Sequence, residues 1–341
     1  MIVVSSTVKD CLENIYSFVE MNLAAGADVV FIFLDSPNED AENAFKDIKN
    51  VVFFKAYGDY WGESRSENLN VRQKININVA NFILIALGVK GKLFHLDSDE
   101  VLYFECDKKD LENEEYIMLE PLEVLPTERE LPRSSSFMFK RKLEGDKLEL
   151  LHILGVISSP ENKSYFNGHT VGKCGVSPNI KCTLGIHHAK YENEVKPCKS
   201  HKVFVLHFDN PSLEGFLKKW LTKGMNDGKS SANVREERKR LFNSVRLIAN
   251  NNSIDEKTKS ALLTKIYTDK YITSGSLAEK LGYLKEIKIE EYGTVRDCMV
   301  FDVSRAVDIF NYLGGIDKTA FNSHSPKERA RLLEVMQCAS T

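Results

Sequence analysis

The feature that most constrains the fold is a regular alternation in the first hundred residues. Short apolar runs of β-branched and aromatic residues, such as Val29–Leu34, are separated by amphipathic stretches of helical length. The pattern predicts strands at residues 2–4, 29–34, 51–54 and 92–96, with helices at 12–23, 41–48 and 69–87. Continuous apolar runs are typical of strands that are covered on both faces. The alternation therefore predicts an α/β fold with a doubly wound, mostly parallel sheet.

The pattern changes after residue 115. Shorter β-prone runs at 116–119, 137–141, 150–157 and 203–208 predict a second, mixed part of the same sheet. Beyond Asp209-Asn210-Pro211, the apolar residues recur at helical spacing almost throughout. We therefore predict two regions, residues 1–210 with the sheet and a mostly helical extension over residues 211–341.

Composition narrows the class of protein. The 341 residues are 43% hydrophobic, enough for a sizeable core, and the net charge of -3 offers no general attraction to nucleic acid. No apolar run approaches the roughly 20 residues of a membrane span, and no secretory signal pattern opens the sequence. The seven cysteines contain no close pair, as expected in a reducing compartment. We expect a cytoplasmic protein.

One stretch, residues 218–246, is locally basic. It is suited to peripheral contact with an anionic membrane or a lipid-linked acceptor. The alternative is a solvated face of helices that pack on the rest of the protein.

Polar residues stand where three predicted strands end. Thr7 follows the first strand, Asp35 the second, and Asp97-Ser98-Asp99 the fourth. Ligands of such sheets bind outside the carboxyl ends of the strands. Two carboxylates at Asp97 and Asp99 suit a hard divalent cation, so we predict a Mn²⁺ or Mg²⁺ site there.

Histidines offer further ligands for this metal. His207 closes a predicted strand at a polar turn and is a candidate third ligand, with His187 and His188 as alternatives. His95 precedes the aspartates, and we expect it to point to the other side of the strand, into the core.

The loop at residues 57–65 and the helix after it combine aromatic and cationic residues. Trp61 could stack on a sugar or base, and Arg65 could contact a diphosphate. Arg72 and Gln73 lie in the first turns of the next predicted helix, where anions are favoured. The alternative is an exposed loop and a solvated helix face.

These residues carry a family resemblance. The segment 94–102, Phe-His-Leu-Asp-Ser-Asp-Glu-Val-Leu, resembles the DxD segment of GT-A glycosyltransferases of families 2 and 92. The segment 33–36 resembles the strand end whose aspartate, here Asp35, holds the nucleobase, and Thr7 matches a residue of the same pocket. The segment 165–173 is similar to their N-G-x-x-x-G-K stretch, which ends at Lys173, and 206–208 resembles their H-Y/F strand end. The resemblance covers about the first 220 residues.

The resemblance implies a GT-A fold and transfer of a sugar from a UDP- or GDP-sugar to a hydroxyl of a glycan or glycoconjugate. Families 2 and 92 invert the anomeric centre, which requires a carboxylate base. Glu120 and Glu123 are the local candidates, although neither lies in a recognisable E-D base motif. The predicted donor contacts and metal ligands are Thr7, Asp35, Trp61, Arg65, Arg72, Gln73, Asp97, Ser98 and Lys173 for the donor, and Asp97, Asp99 and His207 for the metal.

Two other classes of protein remain open. Asp97-Ser98-Asp99-Glu100-Val101-Leu102 also fits the nucleophile motif of haloacid-dehalogenase-type phosphohydrolases, in which Asp97 would attack phosphorus. That motif normally lies on the first strand, whereas three strands precede it here. A non-catalytic nucleotide-sugar-binding protein is the other alternative.

Overall fold

A computed structural model of the chain describes residues 1–126, 135–209, 212–217, 236–289, 301–322, 327, 328, 331, 332 and 334. The chain divides into two compact units. The first contains residues 1–121, 171–206 and 289–341, and the second contains residues 122–170 and 207–288. Each unit is therefore discontinuous in sequence, a different division from the single boundary near residue 210 that the sequence predicts.

The strands, in chain order, are β1 (Ile2–Val8), β2 (Val29–Leu34), β3 (Val51–Lys55), β4 (Lys92–His95), β5 (Glu100–Phe104), β6 (Tyr116–Val124), β7 (Ser135–Lys140), β8 (Lys173–Val176), β9 (Cys182–Leu184), β10 (Ala189–Tyr191), β11 (Cys198–His207) and β12 (Leu284–Ile289). The helices are α1 (Leu12–Ala24), α2 (Glu39–Phe45), α3 (Leu69–Ala86), α4 (Gly145–Ile153), α5 (Asn162–Tyr165), α6 (Glu236–Ala249), α7 (Glu256–Tyr267), α8 (Ser274–Lys280), α9 (Val303–Gly314) and α10 (Thr319–Asn322).

The first unit is built on a mostly parallel sheet. Its strands follow the order β8, β4, β1, β2, β3, and β1 pairs in parallel with both β2 and β4. β3 extends the parallel part, whereas β8 is antiparallel to β4. An α/β fold with a mostly parallel sheet is thus confirmed.

Both faces of this sheet are covered, which explains the continuous apolar runs. Alternate residues of β2 enter two different cores: Phe31 and Phe33 face one, and Val30 and Ile32 face the other. The first core is closed by α3, α9 and α10, and the second by α1 and α2. Side chains of a strand alternate between its faces, so a strand with two cores has few positions for polar residues until it ends.

In the second unit, one predicted strand proves to be wrong. Residues 150–157 do not form a strand; α4 covers the first half of the segment, up to Ile153. Leu148 and Leu151, three apart, are buried, whereas Ile153 is 80% exposed. Burial at helical spacing on one side therefore decided the structure over the β propensity of the individual residues.

The basic stretch lies only partly within the described residues. Residues 218–235 lie outside them, and the remainder belongs to α6, on which Leu247 is 74% exposed. Among the helices that the structure describes, none combines the length and the apolar character needed to cross a membrane.

Candidate functional site

Three polar strand ends lie side by side in the first unit. β1 lies between β2 and β4, and all three run in the same direction. One edge of the sheet therefore carries all three polar residues: Thr7 near the end of β1, Asp35 directly after β2 and Asp97 after β4. Thr7 and Asp35 are buried, but the side chain of Asp97 is 33% exposed.

Side chains of one helix, α3, donate hydrogen bonds to the polar residues at all three strand ends. Arg72, Gln73 and Asn76 lie on one side of α3, because residues three and four apart share a helix face. Arg72 donates to Asp35 through Nε (2.8 Å to Oδ1) and Nη2 (2.7 Å to Oδ2).

The other two contacts of α3 reach the neighbouring strands. Gln73 Nε2 donates to Asp97 Oδ1 at 2.7 Å, and Asn76 Nδ2 donates to Thr7 Oγ1 at 3.0 Å. The Tyr60 hydroxyl donates in turn to Asn76 Oδ1 at 2.9 Å. The helix thus fixes the relative positions of the polar groups along this edge.

Asp35 belongs to a closed, cation-rich cluster. Besides the two bonds from Arg72, it accepts one from Arg65 Nη2 at 3.2 Å. The remaining nitrogen of Arg72, Nη1, donates to the carbonyls of Ser66 and Glu67 at 2.7 and 3.0 Å. Two guanidinium groups surround one carboxylate, so the cluster carries a net positive charge. The carboxylate of Asp35 is thereby occupied by arginines, and its role with a nucleobase stays a prediction.

Asp97 belongs to an acid-rich cluster. Lys173 Nζ lies 2.8 Å from Asp97 Oδ2 and 3.2 Å from Glu100 Oε2, and the Lys173 and Glu100 side chains have no exposed surface. Glu100 Oε2 also accepts the backbone N–H of Asp97 at 2.8 Å, which closes the turn between them. Asp99 lies close enough to act electrostatically on Asp97. Two carboxylates therefore contact one ammonium, and a third, Asp99, lies near Asp97.

The charges in this cluster stabilise each other. Burial disfavours the ionised form of Asp97, but the charge of Lys173, its hydrogen bond and the nearby His95 together outweigh burial and lower the pKa of Asp97 below its usual range. Burial likewise opposes the ammonium of Lys173, but Asp97 and Glu100 raise its pKa above the usual value. Both groups are charged at neutral pH.

The position of Lys173 follows from local backbone geometry. Gly172 adopts a positive φ of 79°, and a β-carbon there would overlap the carbonyl of Leu119. β8 then runs antiparallel to β4, with Phe94 opposite Gly175. The first residue of β8 therefore meets the end of β4, where Asp97 lies. This gives a physical reason for the G-K pair in the sequence.

His95 lies beside this cluster. It is 1% exposed, as expected for a core residue, and it lies close enough to Lys173 and Asp97 for their charges to act on it. Neither ring nitrogen has a hydrogen-bond partner. Burial, followed by the charge of Lys173, lowers the pKa of His95 to about 4. The imidazole is neutral at pH 7.

Acidic and histidine residues that could hold a metal ion are present in both units. In the first unit, Asp97 and Glu100 each offer a carboxylate oxygen, and the two atoms lie within 4.8 Å of each other. In the second unit, His207 and Asp209 offer a ligand pair within the same distance. Ligation of one ion by Asp97, Asp99 and His207 stays a prediction, since these residues belong to different units.

Glu123 lies in a buried structural cluster of the second unit. Its side chain is 3% exposed and accepts hydrogen bonds from the backbone N–H groups of Asn167, at 2.9 Å, and of Gly168. Lys140 Nζ lies 3.3 Å from Glu123 Oε1 and donates to the carbonyl of Tyr165 at 3.0 Å. Both oxygens of this carboxylate are engaged, so a role of Glu123 as the base would require these contacts to break and stays a prediction. Glu120 is half-buried and stays a candidate for the base as well.

The loop fixed by Glu123 positions two histidines. The rings of His169 and His207 stack, with centroids 5.1 Å apart and planes at 24°. A β-carbon on Gly168 would overlap the ring of His207, which explains the glycine at this position. Arg238 Nη2 lies 3.7 Å from Asp209 Oδ1 in the same unit.

Trp61 packs in the core of the first unit. It is 2% exposed, and its Nε1 donates to the carbonyl of Ala56 at 2.7 Å. Its stacking on a ligand would require the loop to move and stays a prediction. Arg65 remains accessible, with 44% of its side chain exposed, and Ser98 is half-buried between the two aspartates.

A pocket of about 250 Å³ opens beside the ends of β1 and β2. It is lined by Val8, Lys9, Asp10, Leu34, Ser36, Pro37 and Asn38. The pocket lies next to Asp35, at the edge where doubly wound sheets bind their ligands.

Two residues of the site, Asn76 and Glu100, were not among the predicted site residues. Asn76 stands three and four residues after Gln73 and Arg72, so helical spacing could have added it to the face that carries them. Glu100 stands three residues after Asp97, the separation of a closed turn. Comparison of the sequence with protein-family models and with curated proteins finds no match.

Proposed function

We propose that the chain is a GT-A-type glycosyltransferase, which moves a sugar from a UDP- or GDP-sugar to a hydroxyl of a glycan or glycoconjugate. One observation carries the proposal: α3 holds Thr7, Asp35 and Asp97 together at the carboxyl edge of the parallel sheet. A scaffold that places an acid-rich cluster and a cation-rich cluster at one edge suits a ligand that contains both a phosphate and a cation.

The two clusters would divide the recognition of the donor. Arg65, the more exposed guanidinium, suits a diphosphate oxygen, and the pocket beside Asp35 suits a nucleobase. Asp97, Asp99 and Glu100 outnumber the Lys173 ammonium, so the residues fit a divalent cation, with Asp99 and the open side of Asp97 as ligands. A bound Mn²⁺ or Mg²⁺ would offset the negative charge of the departing diphosphate.

The transfer itself needs one proton acceptor from the chain. The acceptor oxygen bonds to the anomeric carbon as the bond from that carbon to the diphosphate breaks, and the hydroxyl proton passes to a carboxylate. Glu120 is the candidate for this role. Attack from the side opposite the diphosphate inverts the anomeric centre.

Calorimetric titration of the protein with UDP and with GDP, in the presence of MnCl2, tests the donor site. We expect one of the two nucleotides to bind, and Asp99→Asn to weaken that binding by about tenfold or more, because a charged ligand oxygen is lost. Asp110→Asn, an exposed aspartate of the same unit, is the matched control and should bind as the wild type does. If neither nucleotide binds, with or without metal, the proposal fails.

A phosphohydrolase that uses Asp97 as nucleophile is the second candidate. The lowered pKa of Asp97 suits a nucleophile, but Gln73 and Lys173 already engage its two oxygens. Turnover of p-nitrophenyl phosphate with Mg²⁺, abolished by Asp97→Asn, would establish this candidate instead.

A further inference from the structure

We infer that Lys173 determines the metal affinity of the Asp97 cluster: its ammonium acts as a built-in cation that keeps the affinity for a divalent ion low. The inference deepens the proposed function, since it concerns the cation site of the proposed donor complex. It depends only on the charges that the first unit places around Asp97.

Lys173 is held at the centre of the Asp97 cluster. The Lys173 ammonium contacts both Asp97 and Glu100, at 2.8 and 3.2 Å. Its side chain has no exposed surface, and the residue begins β8, where the pairing with β4 and the turn at Gly172 fix the backbone. An ion that took the place of the ammonium would therefore have to displace a buried side chain from two carboxylates.

Few carboxylate oxygens of the cluster remain for an ion. Gln73 and Lys173 each engage one oxygen of Asp97, and Glu100 uses Oε2 for both Lys173 and the backbone N–H of Asp97. The Glu100 side chain is also fully buried. An ion would reach the one-third-exposed side of Asp97 together with Asp99, at a short distance from a fixed positive charge.

The cluster is not an ordinary solvated acidic turn. His95 is 99% buried beside it, and neither of its ring nitrogens has a hydrogen-bond partner. A polar ring without partners is costly to bury, and here it lies close to the charges of Lys173 and Asp97. The protein side of the cluster is therefore buried, unlike that of a solvated acidic turn.

The charge of Lys173 affects how tightly a divalent ion can bind at the Asp97 cluster. A fixed ammonium repels a divalent ion, and the repulsion is strong because the surroundings on its side exclude water. Two phosphate groups would add negative charge on the open side and compensate for it. We therefore expect weak binding of the metal alone and stronger binding in the presence of a nucleoside diphosphate.

Titration with Mn²⁺ alone tests the inference, with free Mn²⁺ measured by electron paramagnetic resonance. Lys173→Met should bind Mn²⁺ about tenfold more tightly than the wild type, or more, because the competing charge is gone. Lys173→Arg keeps the charge and should bind as the wild type does. Lys92→Met removes a buried lysine at the opposite end of β4 and is the matched control for the change in net charge.

A double variant separates local competition from net charge and protects against misfolding. Glu100→Gln with Lys173→Met removes the buried pair together, which proteins tolerate better than the loss of one partner. The charge of the cluster is then unchanged, yet we still expect tighter Mn²⁺ binding than in the wild type, because Asp97 Oδ2 is no longer occupied by the ammonium. Because no nucleotide is used, a failure of nucleotide binding leaves this test intact.

Three outcomes would overturn the inference. They are unchanged or weaker Mn²⁺ binding by folded Lys173→Met, the same result for the double variant, and no measurable Mn²⁺ binding by any of the proteins. A gain in Lys92→Met equal to that in Lys173→Met would show a general effect of net charge and would also overturn it.

Discussion

Asp35 and Asp97 occupy equivalent places in the sheet but very different surroundings. Each follows a parallel strand at the same edge, and each accepts a hydrogen bond from α3. Asp35 has 2% of its side chain exposed and two arginines around it, whereas Asp97 has 33% exposed and shares one lysine with Glu100. One cluster is closed with excess positive charge, and the other is open with excess negative charge.

The difference shows how one edge can serve two kinds of ligand group. A bidentate arginine fixes a carboxylate in one geometry, whereas a lysine is a point charge that leaves the carboxylate some of its hydrogen-bonding capacity. We therefore expect the Asp35 cluster to contribute mainly to stability and the Asp97 cluster mainly to ligand binding.

The largest expected effect is on the closed cluster. Arg72→Met should lower the free energy of unfolding by about 3–5 kcal/mol, because it leaves a buried carboxylate short of its main partner and frees two carbonyls. Urea denaturation measures the change. Arg65→Met is the control, since an exposed partner of the same carboxylate contributes about 1 kcal/mol at most. Equal effects of the two variants would contradict the picture of a closed cluster held by Arg72.

The next largest effect is the pH dependence of stability that His95, beside the Asp97 cluster, is expected to cause. The pKa of His95 is lowered to about 4, below the usual 6.5, so the unfolded chain takes up this proton first as the pH falls. Stability should be lost between pH 6.5 and pH 4, by about 3 kcal/mol from this residue, and the contribution should be constant above that range.

His95→Phe isolates this contribution. The variant should lose less stability than the wild type between pH 6.5 and pH 4, as urea denaturation at several pH values would show. Identical pH profiles of the two proteins would mean that His95 does not titrate as inferred.

The smallest effect on stability is expected for Asp97→Asn. The side chain is partly exposed, and Lys173 keeps Glu100 as a partner, so the free energy of unfolding should fall by only about 1 kcal/mol. Mn²⁺ binding should nevertheless weaken, because a charged ligand is lost. A loss of stability as large as that of Arg72→Met would show that the Asp97 cluster is a structural one.

Much of the fold was predictable because its signals are local. The run at Val29–Leu34 was predicted at its observed bounds, and α3 within one residue at its end. The segment at 150–157 was not, because a short apolar run fits both a strand and a helix until its buried side is known. The C-terminal residues also return to the first unit, where Phe310 packs on Phe33 and Phe54, a pairing without any local signal.

By itself, the sequence determined the polar strand ends, Thr7, Asp35 and Asp97. The reason is that the signals for strands and turns depend only on residues that are close together in the chain. Only the tertiary structure decided what surrounds them: the arginines on Asp35, Lys173 on Asp97 from 76 residues away, and the burial of Glu123 and Trp61. The physical reason is that a hydrogen bond or an ion pair depends on distance in space. That distance is set by the packing of α3 and β8 on the sheet, and not by separation along the chain.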